Sequence, residues 1–291
     1  MSGFSYTDVH LHFHPPDQTK QEIKEIILEE FPPLHAFYKN PQDNSALLGL
    51  MDGLDCERSW IINYEAPETM GYTIKTNDWV SNFCEGSNKR LLPVGGIDLN
   101  QHDNPNQILS DYFESGSLFG LKIHGPHQLI APNDYTHGNV KQRKMYELME
   151  ELQIPVIFHT GTSIFPKARS KFGNPLMLED VLIDFPDLIA IMAHGGRPFW
   201  TREAEYLMAK FEDLYFDLAG IPPQYIPKWF PRFHRYADRC MFGSDYPSPG
   251  VPGSRVNAES IAELPLPPDT LQRILQENAN EILRKHRYIR I

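Results

Sequence analysis

Residues 141–161 read KQRKMYELMEELQIPVIFHTG. Met145, Leu148, Met149 and Leu152 fall at i, i+3, i+4 and i+7, which makes one apolar stripe of a helix. Gln153 then breaks the pattern, and IPVIF reads as a short strand of the fully buried type, closed by His159. A helix feeding a buried strand is the repeating half of a βα unit. The same alternation runs outward in both directions. Upstream lie GFSYTDVHLHF, RSWIINY, RLLPVGGIDLN and SLFGLKIHG, with the helical NQILSDYFES before the last of these. Downstream, LMLEDVLIDFP leads to LIAIMAHGG, EAEYLMAKF to DLYFDLAG, and YIPKWFPRFHRYA to DRCMFGSDYP; DTLQRILQENANEILRKH closes the chain as a helix. Strands alternating with helices imply a parallel sheet. Eight apolar strands are the number that closes a (β/α)8 barrel. A doubly wound open sheet is the rival, but it has no need for so many polar residues at strand ends.

A chain of 291 residues suits a single α/β barrel. With 41% hydrophobic and 22% charged residues it is expected to be globular. The net charge of −11 comes with no basic stripe, so nucleic acid is not expected as a partner. Cys56, Cys84 and Cys240 are far apart and form no CxxC pair, which predicts neither a disulfide framework nor a thiolate zinc site and fits a reducing compartment. MSGFSYTD lacks a basic region followed by an apolar stretch, and no run approaches the ~20 apolar residues of a membrane helix. The expectation is a soluble, cytoplasmic protein with no membrane partner. One segment, residues 15–45, is longer than a βα connection and contains QEIKEIILEEF. It reads as an insertion after strand one, placed over the barrel mouth or used in a homodimer contact.

Polar residues collect at the strand ends. Alternate residues of a strand share a face, so His10 and His12 point the same way, and so do Lys122 and His124. His159, His194 and Asp245 close strands five, six and eight. All lie at the C-terminal face, where barrel enzymes carry their active sites. Grouping three imidazoles with a carboxylate in a buried site is costly without a counter-ion. Three neutral imidazoles and a carboxylate form the donor set that Zn²⁺ accepts. His14 precedes two prolines that turn the chain outward, so it is left out of the set.

The segments DVHLH, GLKIHGP, FHTG, AHGG and MFGSDYP, together with the closing ILQENANEIL, resemble the amidohydrolase superfamily. The likeness is specifically to the amidohydrolase-related group that includes the aminocarboxymuconate-semialdehyde decarboxylase-like enzymes. It spans nearly the whole chain, with the motifs in order. The resemblance implies a distorted (β/α)8 TIM barrel over residues 1–291. It also implies one divalent metal ion, Zn²⁺ first and Mn²⁺ or another divalent ion second, held by His10, His12, His159 and Asp245. His194 matches an acid/base or orienting position beside the metal-bound water. Lys122 matches a position that is carboxylated between two metals in some relatives, and one ion with an unmodified lysine is the expectation here.

Two chemistries share this set. The first reading is hydrolysis of a small-molecule ester, lactone or amide by water activated on the metal, with Asp245 and His194 catalytic. The alternative is a non-oxidative decarboxylase of an aromatic or muconate-like acid, which needs a cation for the substrate carboxylate; Lys122 or Arg197 could supply it. Lys122, His124 and Arg197 are therefore candidate substrate-binding residues. A silent barrel acting as a scaffold ranks last, since the ligand set is complete. Asp8 is expected behind the ligands; His127 and His137 lie in a loop bordering the mouth, solvated by default with substrate contact as the alternative; and His35, His102, His234 and His286 are expected in surface or packing roles.

Overall fold

The computed structural model describes residues 3–30 and 37–287. Eight parallel strands follow chain order around one sheet: β1 Tyr6–Leu11, β2 Cys56–Ile62, β3 Leu91–Gly95, β4 Gly120–Ile123, β5 Val156–His159, β6 Ala190–Ala193, β7 Tyr215–Asp217 and β8 Cys240–Met241. The seam between β8 and β1 is bridged by backbone bonds. Val9 N–H donates to the Phe242 carbonyl (3.0 Å), Asp245 N–H to that of His10 (2.9 Å) and His12 N–H to that of Tyr246 (2.8 Å). The architecture is the (β/α)8 TIM barrel that the alternation predicts.

The helix of the opening stretch spans Val140–Leu152 and buries Met145, Tyr146, Met149 and Leu152, while Leu148 is only partly covered. Each such side chain contributes roughly 1.5–3 kcal/mol when removed from water. Asn139 caps its N-terminus through the Gln142 N–H, and Gln153 ends it in the left-handed region, so the polar break in the pattern is the turn into β5. Within residues 15–45, the helix Gln21–Glu30 buries Ile23 and Ile27, and Phe37 packs on Phe13 and Phe83. His35 lies outside the described residues. Among the described residues, no helix is long and apolar enough to cross a membrane.

One correction concerns the last strand. β8 is two residues long, so Asp245 does not end it but sits four residues beyond, on the turn that reaches across to β1. Glycine makes that turn possible: a Cβ at Gly243 would overlap the Asp217 carboxylate and the His10 side chain.

Candidate metal centre and its cavity

Asp245 Oδ1 lies 3.2 Å from His12 Nε2 and 3.7 Å from His10 Nε2. One ligand atom each from His10, His194 and Asp245 falls within 4.8 Å of the others. The His159 ring lies beside that of His194, 4.7 Å between centroids. The strand ends and the turns just beyond them thus bring His10, His12, His159, His194 and Asp245 to one place. Asp245 and His194 have φ of 68° and 67°, a region that costs a non-glycine residue about 1–3 kcal/mol.

The second nitrogen of each ring explains how the rings are held. His10 Nδ1–H donates to Asp217 Oδ2, and His194 Nδ1–H donates to the Ala219 carbonyl (2.8 Å). Both assignments leave Nε2 as a lone pair, as in imidazoles fixed for metal binding. Both nitrogens of His12 face oxygen, the Ile62 carbonyl at 3.3 Å and Asp245 at 3.2 Å, so a neutral ring leaves one contact repulsive. His159 Nε2 is buried with no hydrogen-bond partner. Both defects are relieved by a cation among these groups, so the residues fit a divalent ion.

Burial, the largest effect, keeps the imidazoles of His10, His159 and His194 neutral well below the usual histidine range. Burial opposes ionisation of Asp245, yet His194, His12 and His10 around it hold its carboxyl well below the usual range. Lys122 is fully buried with Nζ 3.3 Å from His10 Nε2, and burial lowers its pKa. Lys122 is absent from the wall of the cavity described next; its Nζ lies at the same His10 nitrogen that faces Asp245.

A cavity of about 700 Å³ opens over this group. Its wall includes His12, His124, His159, His194, Arg197 and Asp245. Residues 15–45 contribute Ile27, Phe37 and Tyr38 to it. Arg197 follows the two glycines after His194; its Nη2 donates to Asp245 Oδ2 (3.0 Å) and its Nε to the Gly220 carbonyl. His124 is sandwiched between His159 and His127, at centroid distances of 3.8 and 3.5 Å, and its Nδ1 has no hydrogen-bond partner.

Asp8 accepts from the backbone N–H groups of His10 and Ser244 and from the Ser254 hydroxyl, pinning the seam behind the ligands. His14 is buried against Tyr72 and bonded to Asn63 Oδ1 (2.8 Å). His137 and His234 are exposed, His102 bonds Glu65 (2.8 Å), and His286 packs on Phe119. His127 departs from the expectation of a solvated loop residue: it is buried in the cavity wall. The loop after β4 folds into a short helix, Gly125–Gln128, which tucks the ring inward. Sequence reasoning also missed Asp217. It closes LYFD at the end of β7, so the positional rule that selected His159 could have found it.

The chain belongs to the Amidohydrolase family, whose model matches residues 7–285, and with it to the metal-dependent enzymes of that superfamily. No curated protein matches it. Solved structures share the fold. An uncharacterized TIM-barrel protein from Bordetella bronchiseptica is 19% identical with a TM-score of 0.74, covering 96% of this chain and 98% of its own. A dihydroxybenzoic acid decarboxylase from Polaromonas sp. JS666, solved with manganese and the inhibitor 2-nitroresorcinol, is 15% identical with a TM-score of 0.71, covering 98% of both. A 2,6-dihydroxybenzoate decarboxylase from Rhizobium is 14% identical with a TM-score of 0.68, covering 96% and 98%.

Proposed function

We propose that the protein is a metal-dependent, non-oxidative carboxy-lyase acting on a small aromatic or unsaturated carboxylic acid. The observation that carries this reading is Arg197: among the described residues lining the cavity it is the one lysine or arginine, and it reaches the candidate centre through Asp245. A decarboxylase needs a fixed cation for the substrate carboxylate, and guanidinium suits that anion. The decarboxylases that share the fold add support. This choice reverses the order of the two chemistries expected from the sequence.

In this reading His10, His12, His159 and Asp245 hold the divalent ion, zinc or manganese, with His194 beside it. When bound, the ion supplies Lewis-acid stabilisation of negative charge on the substrate. With the ion held at Asp245, Arg197 would be free to clamp the substrate carboxylate. His194 Nε2 takes a proton from solvent and passes it to the substrate carbon, while the Ala219 carbonyl stabilises the transient imidazolium through Nδ1–H. The carbon–carboxylate bond then breaks, its electron pair returns to the substrate, and CO2 leaves. Pro222, Ile221 and Trp229 give the cavity an apolar side for the body of the substrate.

The test is product analysis of manganese- or zinc-loaded protein on a panel of hydroxybenzoates and muconate-like acids, set against lactones and esters. CO2 release that disappears in Arg197→Met supports the reading. Ring opening or ester cleavage without CO2 restores the hydrolase, and addition of water to a double bond overturns both.

A further inference from the structure

Away from the candidate ligands, three side chains on three different loops form a continuous hydrogen-bonded chain in the cavity wall. The Tyr64 hydroxyl bonds His127 Nδ1 at 2.8 Å, and His127 Nε2 bonds the Ser163 hydroxyl at 2.7 Å. Tyr64 follows β2, His127 follows β4 and Ser163 follows β5. Tyr64 and His127 are 2% exposed, and all three residues line the cavity. The proposed reaction at Asp245 and His194 makes no use of them.

The hydrogens in this chain can be counted. A neutral imidazole carries one N–H, and the two hydroxyls carry one O–H each, so three hydrogens serve two internal bonds. In one arrangement Tyr64 donates to Nδ1 and Nε2–H donates to Ser163, leaving the Ser163 O–H free. In the other, Ser163 donates to Nε2 and Nδ1–H donates to Tyr64, leaving the Tyr64 O–H free. Either way one hydroxyl at the cavity wall keeps an unspent donor, and the other keeps lone pairs. Ser163 Oγ also receives the Phe165 N–H at 3.4 Å, which favours the arrangement with its own O–H directed outward.

The location matters as much as the count. His127 lies two stacking steps from His159, through His124, at 3.5 and 3.8 Å. Tyr64 also stacks on His124, with centroids 5.0 Å apart. The chain of groups is therefore carried on the ring stack that begins at the candidate centre. It is uncharged, so it offers no counter-ion and suits a neutral oxygen; the anion is left to Arg197 and the ion.

We propose that Tyr64, His127 and Ser163 form a subsite for a hydroxyl group on the substrate ring, which sets specificity for hydroxylated over plain or alkylated acids. This deepens the reading given above and rests on the same cavity being the substrate site. Ser163 and Tyr64 are the contacting residues, and His127 is the positioning residue that couples them.

The experiment uses phenol and toluene as probes, two rings of similar size of which one carries a hydroxyl. Affinity is measured by NMR or calorimetry on the metal-loaded protein, wild type and the variants Ser163→Ala, Tyr64→Phe and Ser163→Thr. Loss of one hydrogen bond corresponds to a two- to tenfold change. Phenol affinity is expected to fall by that factor in Ser163→Ala or Tyr64→Phe and to be retained in Ser163→Thr, with toluene affinity constant throughout. Phenol that does not bind the wild type, or that binds both Ser163→Ala and Tyr64→Phe as it binds the wild type, overturns the subsite. Equal losses for phenol and toluene would also overturn it, because they indicate a merely structural role. A separate arm with benzoate on Arg197→Met addresses the carboxylate reading. Unchanged benzoate affinity there would defeat that reading while leaving the phenol result standing.

Discussion

Asp217→Asn is the substitution that isolates how the centre is built. Asp217 is fully buried, with Oδ2 on His10 Nδ1 and Oδ1 accepting the Ala219 N–H at 2.9 Å. Asparagine fills the same volume and can keep the Ala219 bond through its carbonyl oxygen. Its amide then turns a donor toward His10 Nδ1. That donor favours the tautomer with hydrogen on Nε2, the nitrogen facing Asp245, and the lone pair a metal needs is lost. Removing such a partner typically costs 10- to 100-fold in metal affinity, or about 1.4–2.8 kcal/mol. Stability of the metal-free protein should change little. Burial pushes the Asp217 carboxyl up, so its ionised form is held at a cost that the neutral amide avoids. The assay is competition for Zn²⁺ with a chromophoric chelator at neutral pH, paired with thermal melts of the metal-free proteins. The expected result is the 10- to 100-fold loss, with the melting temperature within about 4 °C of wild type. Affinity within twofold of wild type would refute the tautomer argument, and so would an unfolded variant.

Asp245→Asn should abolish turnover while the far-ultraviolet circular dichroism stays that of the wild type; retained turnover would show that Asp245 is no part of the catalytic centre. Gly220→Ala should lower activity at least tenfold and stability by about 1–3 kcal/mol, read from kinetics and urea melts. Gly220 has φ +62°, and a Cβ there would overlap Arg197 Nη2 beside Asp245. His286 supplies a pH test remote from the site: burial is the main cause that lowers its pKa from 6.5 to about 4, so the fold holds it neutral. Its contribution is complete above pH 6.5 and lost as pH falls through 4, up to about 3 kcal/mol. The stability gap between wild type and His286→Gln should shrink by that order between neutral pH and pH 4, whereas a constant gap would contradict the assignment.

The order of the eight strands was readable because short apolar runs alternate with helical stretches and most of the runs lead into a polar residue, a pattern clearest in Val156–His159. Most candidate site residues followed from that one rule. What stayed hidden depends on partners distant in sequence. Asp217 closes a strand that the sequence does show, DLYFDLAG, but its role appears only when β7 and β1 set it against His10. His127 falls in a loop at the barrel mouth, where solvation is the default reading and substrate contact the alternative. The turn at Gly125–Gln128 buries it, and Tyr64 and Ser163 reach it from other loops. The short β8 likewise concealed that Asp245 is carried on a turn, held by its backbone bond to His10 rather than by a strand.

The measurement that bears most directly on the account is anomalous scattering from crystals grown with Zn²⁺ or Mn²⁺. A single strong peak within bonding distance of His10 Nε2 and Asp245, with His12 and His159 completing the set and Asp217 still on His10 Nδ1, is the predicted result. A saturated crystal with no peak there, or with the ion bound only at surface carboxylates, would contradict it.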